Sequence, residues 1–65
     1  MTPQAERPLL TTAEVARMLG LSTITVYRQA KMGLLPHVVV IKGERRDVIR
    51  FRYEDIEAYI NERLA

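Results

Sequence analysis

Apolar positions along the chain follow two rhythms, a helical one at Val15, Met18 and Leu19 and again at Ile56, Tyr59, Ile60 and Leu64, and an alternating one through Val48 to Arg52. Local signals bound each stretch. Thr11-Thr12-Ala13-Glu14 has the spacing of a capping box, in which the Thr11 hydroxyl accepts from the Glu14 amide and the Glu14 carboxylate reaches back to the Thr11 amide. A helix is expected over Thr12 to Leu19, ended by Gly20, which adopts the left-handed conformation at no steric cost. Ser22 is a second N-cap, and Thr23 to Met32 continues as a helix until Gly33. His37 to Lys42 and Val48 to Arg52 read as strands, joined by the turn residues Gly43 to Asp47. On the second strand Ile49 and Phe51 share one face, and Val48, Arg50 and Arg52 the other. Tyr53-Glu54-Asp55 opens a third helix with acid in its first turn. The expectation is a small α+β domain in the order helix, helix, hairpin, helix.

Size and composition narrow what such a domain can do. With 65 residues, 48% of them apolar, the chain is too apolar for disorder and too short for more than one small core, which argues against most enzymes. It has no cysteine and one histidine, so disulfide scaffolds and thiolate or imidazole-rich metal sites are excluded and no cofactor is expected. Residues 1–8 hold two prolines and no periodicity, and read as a flexible arm ahead of a domain over residues 9–65. They lack an apolar signal region, and the longest apolar run, Val38 to Ile41, is far too short to span a membrane; the expected location is the cytoplasm.

Charge is more informative by segment than as the net +2. Residues 1–22 balance to zero; residues 23–52 carry Arg28, Lys31, Lys42, Arg45, Arg46, Arg50 and Arg52 against Glu44 and Asp47, a net +5; residues 53–65 come to −3. A basic second helix beside a basic hairpin, with an acidic last helix, suits a polyanion bound in one orientation. The alternative is a charged hairpin that is only a solvated face.

Ala16, Gly20 and Val26 have the spacing of a helix-turn-helix: a small residue where the helices cross, a glycine at the corner, and a β-branched anchor on the second helix. Leu19 and Leu21 are expected to fill the inside of the corner. Here the chain resembles the small excisionase-like DNA-binding proteins, which share a winged-helix fold with the DNA-binding domains of MerR-type regulators. The resemblance runs from about Leu9 to Arg63, through Leu10 to Ala16, Leu21-Ser22, Val26-Tyr27-Arg28, Gly33 to Pro36, the Arg45-Arg46 wing and Phe51 to Tyr59. Gln29 departs from it, standing inward beside Val26 where a large apolar residue is usual; either helix 2 packs more loosely or Gln29 hydrogen-bonds across the gap. Glu44 and Asp47, in the hairpin loop, bear on how deeply that loop enters a groove.

With Val26 and Ala30 inward, helix 2 turns Ile24, Arg28 and Lys31 outward and Thr23 and Tyr27 to the flanks. Arg28 is the candidate for two-point contact with guanine, phosphate contact being the alternative. Thr23 reaches a base edge or phosphate, or supports the cap; Ile24 packs on a thymine methyl or is an ordinary surface residue. Tyr27 gives its hydroxyl to a phosphate or packs in the core. Arg45 and Arg46 at the hairpin tip enter a narrow minor groove or grip phosphate, supported by Lys42 and Arg50. His37 is read as structural. Asp55 and Glu57, without a cleft, nucleophile or phosphate loop, are read as a solvated helix face, so no catalytic residue is expected.

The reading is a winged helix-turn-helix with helix 2 in the major groove of double-stranded DNA and the hairpin along the minor groove. The resemblance implies an excisionase, a recombination directionality factor that binds tandem sites head to tail, bends DNA and assists an integrase at the nucleoid. Its partners would be DNA, the integrase and further copies of the chain, and it would do no chemistry itself. A phage or plasmid transcriptional regulator is the first alternative, though residues 53–65 have room for one helix and not for a long coiled coil or effector domain. A protein-interaction winged helix is the second.

Overall fold

A computed structural model of the chain describes residues 8–64. The expected arm, apart from the exposed Pro8, lies outside the described residues. Three helices and one hairpin follow in the expected order: α1 (Thr12–Leu19), α2 (Thr23–Lys31), β1 (Val38–Ile41), β2 (Val48–Arg50) and α3 (Tyr53–Leu64).

The capping box forms at α1, with the Glu14 amide donating to Thr11 Oγ1 (3.1 Å) and the Thr11 amide to Glu14 Oε1 (2.8 Å). That backbone donor is the chief reason the Glu14 carboxyl lies below its ordinary range, with Arg17 and Arg50 adding to it against some desolvation. At the other end Gly20 takes φ 72°, and the amides of Gly20 and Leu21 both turn back to the Ala16 carbonyl. This closure directs Leu21 outward. It is 44% exposed and does not fill the corner as expected, whereas Leu19 packs against the core. Met18, on the apolar repeat, is also largely exposed. Ser22 then caps α2, accepting from the Thr25 amide (3.1 Å).

Every element but β1 contributes to one core: Val15 and Ala16 from α1, Val26 and Ala30 from α2, Ile49 from β2, Ile56 from α3, and Leu35 and Phe51 from the connecting segments. Ala16 and Val26, the small residue and the anchor of the expected spacing, are both buried, and Ala30 is buried on the same helix as Val26. Gln29 is half-buried, and its main-chain carbonyl accepts from the Leu34 amide at 3.0 Å.

The hairpin is antiparallel, pairing Val38 with Arg50, Val39 with Ile49 and Ile41 with Val48, so Val40 is an extra residue that shifts the register. Both strands are shorter than expected. At the end of β2 the backbone of Phe51 pairs instead with Leu10, exchanging two hydrogen bonds of 2.7 and 2.9 Å, and so ties the segment before α1 to the hairpin. Ile49 and Phe51 are buried, while Val39, Val40, Ile41 and Val48 stay exposed. The arrangement is a small α+β winged helix-turn-helix. None of its described helices is long and apolar enough to cross a membrane.

Candidate nucleic-acid interface

Helix α2 buries Val26 and Ala30, and its 100° step per residue turns the intervening positions to the surface. Thr23 and Ile24 are exposed at its start, Ile24 at 61%, and Arg28 is exposed one turn on. Capping at this end runs through Ser22 and Thr25. Tyr27, half-buried, packs its ring against the core while its hydroxyl accepts from the Asp47 amide at 2.9 Å, joining α2 to the hairpin loop. The guanidinium of Arg46 lies 4.2 Å from the centroid of the same ring.

Asp47 organises the loop. Its Oδ1 accepts from the Gly43 amide at 3.0 Å, and its Oδ2 forms an ion pair with Lys31 of α2 and stands 3.8 Å from Lys42. The Lys31 hydrogen bond, then the Gly43 amide, hold the Asp47 carboxyl below its ordinary range, and the same bond raises the Lys31 ammonium. Gly43 is required for a steric reason: a Cβ there would stand 1.9 Å from the Arg46 carbonyl oxygen.

Two shallow concavities result. One, of 320 Å³, lies between α2 and the hairpin and is lined by Ile24, Tyr27, Arg28, Lys31, Met32 and Arg46. The other, of 270 Å³, runs from Tyr27 and Lys31 to Lys42, Arg45 and Asp47. Of the nine residues expected to touch DNA, seven therefore line one continuous surface, with Thr23 exposed at the start of α2. Arg50 is not part of it. It is half-buried on β2, with Nη1 donating to the Ile49 carbonyl (2.8 Å) and its charge felt at Glu14 of α1.

The cations differ in availability. Lys31 is paired, Lys42 is 82% exposed in its side chain and only distantly attracted to Asp47, and Arg28, Arg45 and Arg46 are exposed. His37 is half-buried, its Nδ1 3.1 Å from the Leu35 carbonyl oxygen. Asp55 accepts from Arg52 Nε at 3.0 Å at the start of α3.

Two residues were missed by the sequence reading. Met32 lies four residues beyond Arg28 and eight beyond Ile24, so the helical wheel places it at the same concavity. Asp47, read as a turn residue and as a charge bearing on how deeply the loop enters a groove, had one local signal of its bridging role, a glycine four residues earlier whose amide donates to it.

A family model described as a helix-turn-helix domain matches residues 9–64. Searches of curated proteins and of solved structures returned no match.

Proposed function

We propose that this chain, which belongs to the helix-turn-helix domain family and binds DNA, places α2 in the major groove and its hairpin along the adjacent minor groove to serve as an excisionase. The observation that carries the docking mode is the convergence of Ile24 and Arg28 of α2 with Arg46 of the hairpin around one open concavity. A helix face with apolar and guanidinium groups suits base edges and thymine methyls, and arginines on a loop suit phosphates or a narrow minor groove. Arg28 is assigned to a base, with Thr23 and Ile24 beside it; Arg45, Arg46 and Lys42 are assigned to the backbone. Tyr27 holds Arg46 and Asp47 in place, and its hydroxyl hydrogen remains available to a phosphate.

The excisionase role rests on the resemblance of the chain from Leu9 to Arg63. In it, copies bind tandem sites head to tail on cytoplasmic DNA, bend it and help an integrase assemble. Footprinting on DNA flanking the gene for this chain tests the role. Tandem protected sites in one orientation beside an integrase attachment site are expected. A single site over a promoter makes the protein a transcriptional regulator, and no protection at low salt leaves protein interaction as its task.

A further inference from the structure

Asp47 is 8% exposed, yet it stands in a surface built to meet a polyanion, where a carboxylate repels phosphate. Closing its own loop needs only Oδ1, which takes the Gly43 amide. The other oxygen faces Lys31, sixteen residues away on α2, and the Asp47 amide donates to Tyr27, on the same helix. One residue thus fastens the hairpin to α2 twice, once by charge and once by a neutral hydrogen bond. The fastened parts carry Arg28 and Arg46, which share a concavity with Lys31.

We propose that Asp47 is a positioning residue for DNA recognition: it fixes the hairpin relative to α2, and by holding Lys31 it withholds one cation from phosphates, so that binding depends on sequence more than on charge. The inference rests on the DNA-binding reading above. A lysine released from Asp47 would be a mobile point charge that grips any phosphate within reach. A hairpin released from α2 would no longer hold Arg46 at a set distance from Arg28. Both changes favour DNA of any sequence over the correct one.

Asp47→Asn tests this, because the amide oxygen still accepts from Gly43 while the charge is lost. The probes are a duplex selected by the wild-type protein from a random-sequence library and a random duplex of equal length, each titrated over a salt series. On random duplex the variant is expected to bind more tightly, with a log–log salt slope steeper by about 0.9 as the freed Lys31 engages a phosphate. The ratio of selected to random affinity falls roughly tenfold. Adding Lys31→Gln removes that increment of slope and leaves the ratio low. Tyr27→Phe, which cuts the neutral tie and leaves the charged one, lowers the ratio without steepening the slope, and decides the matter should Asp47→Asn fail to fold. A merely structural Asp47 gives equal losses on both duplexes with the slope unchanged, which overturns the proposal. If wild-type protein selects no sequence, the DNA-recognition reading fails first and this proposal with it; if it selects one that Asp47→Asn and Tyr27→Phe discriminate equally well, only this proposal fails.

Discussion

At the scale of single residues, pairing across the hairpin divides cations that look equivalent along the chain. Arg28, Arg45 and Arg46 are exposed, whereas Lys31 is joined to Asp47 and Arg50 donates to its neighbour's carbonyl. Sequence shows how many charges a segment carries but not which of them are spent within the fold, because the Lys31–Asp47 pair forms only when α2 and the hairpin meet. The same pair gives the protein a pH signature. The Asp47 carboxyl is lowered on folding, so its contribution to stability is present above the unfolded carboxylate range and is lost as pH falls through the folded value. Melting temperatures of wild type and Asp47→Asn should therefore differ at neutral pH and converge below about pH 4. A gap that stays constant into acid would show that the charge of Asp47 does not stabilise the fold.

At the scale of elements, the helix boundaries were legible because their signals are local. Thr11 with Glu14, Gly20, and Ser22 with Thr25 act within a few residues, and α1 spans the expected Thr12–Leu19. Helix α2 stops one residue short of expectation, with Met32 as its cap. Features that depend on distant partners were not legible. Phe51 reads as the continuation of a strand, but its backbone partner is Leu10, and no local pattern announces a pairing between segments so far apart. Leu21 reads as a corner residue, yet the turn geometry that Gly20 makes possible points it to solvent. The hairpin loop offers an element-scale test. Gly43→Ala forces the backbone near Arg46 to move and should lower stability by about 1–3 kcal/mol, as overpacking does. Since the same shift disturbs Asp47 and Arg46, its random-DNA affinity should change along with its melting temperature. Unchanged melting would mean that the loop relaxes freely and does not hold the geometry described.

At the scale of the whole molecule, the +5 of residues 23–52 and the −3 of residues 53–65 fall on different elements, with α2 and the hairpin on the side proposed to meet DNA and α3 presenting exposed Glu54, Glu57 and Glu62. Such a dipole orients the approach but does not choose a sequence. In the proposed docking mode, choice falls to the exposed face of α2, and grip to the hairpin. Titrating Arg28→Ala, Arg45→Ala and Arg46→Ala against selected and random duplexes over a salt series separates the two most directly. Arg28→Ala should cost about 1–3 kcal/mol on the selected duplex and much less on the random one. Arg45→Ala and Arg46→Ala should weaken both alike and flatten the log–log salt slope by about 0.9 each. An Arg28→Ala loss of equal size on both duplexes, or hairpin variants that leave the salt slope untouched, would contradict this division of labour.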